Sequence, residues 1–109
     1  MEISYKNKNV KEYCENYRTA LSFFGNEKIA KKLAILMTDL KLTPRITDFA
    51  KVAKLQKYSL HDLVGDKAGI KSLKVDYAYR MELEVLFYAE DDGDQDKIMI
   101  LEVNKHYGK

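Results

Sequence analysis

The chain has 109 residues, 46% of them hydrophobic and 33% charged, with a formal net charge of +2. That is the size of one ordinary domain and the composition of a folded chain, which excludes disorder and leaves no room for a second core, so residues 1–109 read as a single domain. No apolar run approaches the ~18 residues that cross a membrane. Met1-Glu2-Ile3-Ser4-Tyr5-Lys6 has no apolar signal core, and the single cysteine, Cys14, excludes an internal disulfide, so the expected setting is cytoplasmic.

In chain order, residues 2–6 read as a short strand, with Ile3 and Tyr5 alternating with polar neighbours. Asn9 is the expected N-cap of a first helix. Val10, Tyr13, Cys14, Tyr17, Ala20, Leu21 and Phe24 recur on one face of it, and Gly25 ends it. Cys14 on that face reads as a small core residue. Asn26 caps a second helix carrying Ile29, Leu33, Leu36, Met37 and Leu40. Thr43-Pro44 stops that helix, because proline lacks the backbone donor and clashes with the preceding turn. Two amphipathic helices with so short a link predict a helical hairpin. Thr47 is the expected cap of a further short helix holding Phe49, Val52 and Ala53.

From Tyr58 onward the apolar period shifts from 3.6 to 2. Strands are expected at 58–63, around Ile70, Leu73 and Val75, at 79–88, and from Ile98 to about 104. The 65–69 segment, with Gly65 and Gly69, is a loop, Asp76-Tyr77-Ala78 a tight turn, and 89–97 a polar hairpin loop. Short links between consecutive strands imply an antiparallel meander, and its apolar face needs a covering layer. The expected fold is α+β: an N-terminal strand and helical hairpin packed on a mainly antiparallel sheet of four to five strands.

The familiar catalytic signatures are absent: there is no phosphate-binding glycine loop, dinucleotide fingerprint or His-Glu-x-x-His. Two histidines without a cysteine cluster argue against a zinc site, and the acidic run at 90–96 lacks the calcium-loop ligand pattern, so it reads as a solvated hairpin tip. That run holds five of the 17 acidic residues; the rest of the chain sets 12 acids against 19 basic residues. A basic body suits a polyanionic partner, although lysines that merely solvate helix faces would give the same count. His61, Lys67, Lys71, Lys74 and Arg80 fall within twenty residues across strands and a glycine loop, and Lys105, His106 and Tyr107 close the chain. Arginine forks onto phosphate oxygens, lysine supplies a point charge, and an imidazole moves protons near neutral pH. These are parts for metal-free RNA cleavage, in which a ribose 2′-hydroxyl attacks the adjacent phosphate, although a structural, hydrogen-bonded His61 and an Arg80 paired with Glu82, Glu84 or Asp76 would fit the same residues.

The run Leu60-His61-Asp62-Leu63-Val64-Gly65-Asp66-Lys67-Ala68-Gly69, followed by Ser72, Val75-Asp76 and Tyr79-Arg80, resembles the motif of HigB-type toxins of the RelE/ParE superfamily. There, a His-x-Leu-x-Gly-x-Arg-x-Gly run leads into a strand, and the motif ends at Tyr-Arg. Ile3-Ser4-Tyr5-Lys6-Asn7-Lys8 and Ala30-Lys31-Lys32-Leu33 resemble the plasmid-maintenance killer branch. The resemblance implies a type II toxin, a messenger-RNA endoribonuclease acting in the ribosomal A site and silenced by a cognate antitoxin, with no small-molecule cofactor and no metal. It implies His61, Arg80 and His106 as catalytic residues. Lys67, Lys71, Lys74 and Lys105 would hold phosphate, and Tyr79 or Tyr107 would stack on a base. Lys67 stands where the family favours arginine, Ile70 where glutamine is common, and Val103-Asn104-Lys105-His106-Tyr107 where the family often ends in Val-Asp-Tyr-His. The altered chain end keeps open a RelE-like fold that binds without cutting. Superfamily members of the ParE kind inhibit gyrase instead.

Overall fold

A computed structural model describes residues 1–91 and 93–105. Their order is β1 (Glu2–Tyr5), α1 (Lys8–Glu15), α2 (Tyr17–Phe24), α3 (Glu27–Leu42), α4 (Ile46–Gln56), β2 (His61–Asp62), a 3₁₀ turn (Gly65–Lys67), β3 (Ile70–Lys74), β4 (Tyr79–Phe87) and β5 (Lys97–Lys105). The five strands form one sheet in the order β1-β5-β4-β3-β2. β1 lies parallel to β5, and every other neighbouring pair is antiparallel. The fold is α+β with a mostly antiparallel sheet, as the periodicities imply. No helix among the described residues is long and apolar enough to cross a membrane.

Asparagines start the first three helices. Asn7, Asn16 and Asn26 each sit in extended backbone, and each side-chain oxygen accepts the N–H three residues on, from Val10, Thr19 and Ile29. The cap of α1 is therefore Asn7, and the expected Asn9 lies inside the helix. The single helix expected from Asn9 to Phe24 is two helices, because Asn16 ends α1 and caps α2 at once. Gly25, at φ 64°, returns its N–H to the Leu21 carbonyl and closes α2.

Thr47 does not cap α4. Arg45 occupies the cap position without a side-chain bond, and the Asp96 carboxylate supplies the acceptor from across the fold, taking the Ile46 N–H at 2.7 Å. Its other oxygen takes the Ala89 N–H at 2.7 Å. The acidic loop is thus not wholly solvated: Glu90, Asp91 and Asp94 are exposed, but Asp96 is only 2% exposed and ties the β4–β5 loop to α4. The Arg45 guanidinium adds bonds to the carbonyls of Ala89 and Asp91.

The core lies between the helices and one face of the sheet. Leu36, Leu40 and Phe49 from the helices meet Leu73, Met81, Leu83, Ile98 and Ile100 from the strands, all fully buried. Phe49 stacks on Tyr58 at 6.0 Å, so its truncation to alanine should cost about 3–5 kcal/mol. A bulge at Leu101 shifts the β4–β5 register between Glu82 and Leu83. It lets both Ile100 and Val103 point into the core, which strict alternation would forbid. Cys14 is buried on α1, and burial, with Glu15 nearby, pushes its thiol up to about 12.

The strand expected at 58–63 is reduced to His61–Asp62. Lys57 and Ser59 both take left-handed backbone, at φ 62° and 51°, which bends the chain between α4 and β2 before a ladder can begin.

Candidate functional site

Residues directly opposite on antiparallel strands share a face. His61 stands opposite Ser72, Ser72 opposite Glu82, and Glu82 opposite Glu102. In the next row, Lys74 stands opposite Arg80 and Arg80 opposite Asn104. These residues alternate with Leu73, Met81 and Leu83, so they occupy the face turned away from the core.

Arg80 is the centre of this face. Its Nε–H donates to the Ser72 hydroxyl at 2.6 Å, and its Nη2–H donates to the Ser59 carbonyl at 3.2 Å. Ser72 is buried, at 3% exposed, so its hydroxyl is a fixed acceptor. The Nη1 group makes no hydrogen bond among the described residues and is open to an anion. Partial burial pulls the guanidinium below its ordinary pKa, yet arginine remains cationic at neutral pH. A cation already stripped of part of its water gives up less hydration when a phosphate arrives.

His61 Nδ1 lies 3.0 Å from the same Ser59 carbonyl and 3.4 Å from Arg80 Nη2. A carbonyl only accepts, so the shorter contact assigns the proton of the neutral ring to Nδ1. That leaves Nε2 with its lone pair for proton transfer. Ser59 therefore orients both ring and guanidinium through one oxygen. Its left-handed backbone, like that of Lys57, is strained for a residue with a Cβ by roughly 1–3 kcal/mol.

The lysines divide between environments. Lys67 reaches Glu82 at 2.8 Å and so joins the Arg80 face. Lys74 is on that face by register. Lys71 is on the other face, opposite Leu83, and pairs with Asp62 at 2.6 Å. Tyr79 is also on the helix-bearing face, with its ring 5.2 Å from Phe24, and Lys105 stands opposite it. The sheet thus brings His61, Lys67, Lys74 and Arg80 together and sets Lys71, Tyr79 and Lys105 apart. His106 and Tyr107 lie outside the described residues. Sequence reasoning passed over Ser59, Ser72 and Glu82 as site residues. Ser72 and Glu82 share the period-two rows of Lys74 and Arg80, which is a usable signal. Nothing local marks Ser59, because serine does not advertise a positive φ. Among the described residues no three His, Cys, Asp or Glu side chains come together as a metal-ligand set.

The class defined by fold and site is an α+β domain that presents an anchored arginine, an oriented imidazole and lysines on the polar face of its sheet. No protein-family model matches the chain, and no curated protein matches it. Among solved structures it is similar to a YoeB/ParE toxin from Agrobacterium tumefaciens, with a TM-score of 0.49 and 18% identity over 98% of this chain and 100% of that one.

Proposed function

We propose that this chain is the toxin of a type II toxin–antitoxin pair that cuts messenger RNA in the translating ribosome without a metal. The observation that carries the reading is the doubly anchored Arg80 guanidinium beside His61, whose Nε2 is left available by the Ser59 carbonyl. The order of His61, Gly65, Gly69 and Tyr79-Arg80 along the sequence supports it. In this reading a 2′-hydroxyl attacks the adjacent phosphorus and the bond to the 5′-oxygen breaks. Arg80 stabilises the charge that builds on the non-bridging oxygens, with Lys67 and Lys74 beside it. His61 and His106 exchange the two protons, one removed from the attacking hydroxyl and one delivered to the leaving oxygen. Lys71, Tyr79 and Lys105 have no part in this step. An antitoxin that covers the Arg80 face would silence the site.

Induction in a bacterial host, with transcripts mapped for cut sites, tests the proposal. The unaltered chain should arrest growth and yield cut messenger RNA. Arg80→Ala and His61→Ala, each confirmed folded by circular dichroism, should lower cleavage by about 10²–10³-fold, the usual loss when one transition-state donor is removed. Arrest with intact transcripts would overturn the reading in favour of a gyrase target, and undiminished cleavage by both variants would overturn the site.

A further inference from the structure

The turn that holds Arg80 and His61 also lines a groove that runs along α4 and shares Lys74 with the site. Ala50, Ala53 and Lys54 from α4 form one wall, and Lys57, Ser59, Leu60 and Lys74 form the rest, around a volume of about 650 Å³. A second groove shares Lys57 and Lys74 and adds Lys32 from α3. The two therefore form one continuous basic band. Lys32, Lys54 and Lys57 are exposed and Lys74 is half-buried, and none of the four is ion-paired with a carboxylate among the described residues. Asp76, the acidic residue on the rim, turns one oxygen back to the N–H groups of Ala78 and Tyr79. Elsewhere, Lys8, Lys31, Lys41, Lys67 and Lys71 do have carboxylate partners. Lys6, Lys11, Lys28, Lys51, Lys97 and Lys105 also lack them among the described residues, so what marks this region is that four such lysines line two adjoining grooves.

Two observations join the band to the site. Ser59 lines the groove and its carbonyl accepts from Arg80, so the groove and the guanidinium's anchor share one residue. Lys57 and Ser59 are also the non-glycine residues held at positive φ among the described residues. Strain of this kind persists where surrounding structure enforces a particular geometry, and it is concentrated at ligand-handling sites. Here it turns Lys57 and the Ser59 carbonyl out of one short segment.

We infer that Lys54, Lys57 and Lys74 form a track for the sugar-phosphate backbone of single-stranded RNA, delivering the strand to Arg80. The inference rests on the reading of that site as one that cuts RNA. Lysine point charges on a groove wall suit a backbone whose sequence is not read. The first groove offers two alanines and Leu60 as apolar contacts and the second Ile35, Tyr58 and Val75, of which Tyr58 and Val75 are already buried in the core, too little for the anchors that peptide recognition needs.

The probe is a fluorescent single-stranded RNA of roughly 12 nucleotides, 2′-O-methylated so that no attacking hydroxyl is present, titrated with the full chain at several salt concentrations. Each phosphate contact to a single strand contributes about 0.7 to the slope of log K against log salt, so the Lys54→Ala/Lys57→Ala/Lys74→Ala variant should lose about 2 from the slope. Its affinity near 0.1 M salt should fall about a hundredfold. Lys11→Ala/Lys28→Ala/Lys97→Ala makes the same change in net charge on exposed lysines elsewhere and should leave the slope unchanged. A slope retained by the groove variant, or lost equally by the control, overturns the track. So does a poly-glutamate peptide that competes at the RNA's own affinity, which would make the groove an acidic-peptide dock. The two readings fail separately. Loss of slope in the groove variant with no transcript cleavage by the unaltered chain leaves the track standing and removes the nuclease. Cleavage with the slope intact does the reverse.

Discussion

Replacing Asp96 by alanine should be the most damaging single change in the acidic loop. The carboxylate is 2% exposed and takes two backbone N–H groups, from Ile46 and Ala89, at 2.7 Å each. Alanine leaves both donors without their charged acceptor. A hydrogen bond to a charged group is worth about 1.5–3 kcal/mol, and the lower figure applies where water can reach a loop, so two such bonds give about 3 kcal/mol. Against the 5–15 kcal/mol that holds a typical domain together, that is a large fraction. With a urea dependence of about 1–2 kcal/mol per molar, the unfolding midpoint should fall by about 1.5–3 M with little change in slope. Asp96→Asn keeps the shape and one acceptor, and should lose about half as much. Asp94→Ala, at an exposed neighbour, should stay within about 0.5 kcal/mol of the parent. A midpoint for Asp96→Ala within about 0.3 M of the parent would refute the reasoning that the carboxylate clamps α4 to the loop.

Two further outcomes are expected. The Cys14 thiol, pushed up to about 12 by burial, should be thiolate at only about one part in ten thousand at pH 8, so it should resist a thiol-specific disulfide reagent until urea unfolds the chain; rapid labelling of the native protein would contradict the buried placement. Burial works against ionisation of Glu15, but hydrogen bonds from Lys41 and Tyr5 together outweigh it and hold the carboxyl below its ordinary value. Its folded pKa being the lower one, the stabilisation is present above the ordinary value of about 4.3 and disappears as pH falls through the folded pKa. Glu15→Gln should therefore lower the thermal midpoint at pH 7 and leave it equal to the parent near the acid end of a pH series. A gap that is constant across the series would be inconsistent with it.

Much of the architecture was legible because its signals are local. Gly25, Asn26 and Thr43-Pro44 act within one turn of the residues they mark, and the strands after residue 69 and the Asp76-Tyr77-Ala78 turn sit where the pattern puts them. The misreadings have a common physical source. Tyr17, Ala20, Leu21 and Phe24 continue the apolar stripe past Asn16, so periodicity alone cannot show that the asparagine ends one helix and starts another. The acceptor at the start of α4 comes from Asp96, fifty positions away, where no local cue exists. At the site, the run from His61 to Arg80 stood out by composition, but strand parity decides which basic residues meet. A one-residue difference in register puts Lys71 with the core face and Ser72 with Arg80. Such parity depends on pairing partners and not on the residues themselves.

The parallel pairing of β1 with β5 has a consequence for how the protein comes into being. Residue 3 finds its partner at residue 98, so β1 has nothing to pair with until β5 exists. β5 also supplies Ile98, Ile100 and Val103 to the core and lies between β1 and β4 in the sheet. Contacts this distant in sequence form late and slowly, because a long loop must close before they contribute. During synthesis the helices can form early, but Arg80 acquires its neighbour Asn104 and a fixed sheet only after β5 has left the ribosome. A chain cut short before residue 97 should therefore be unfolded, and the Arg80 face would be assembled abruptly, with β5.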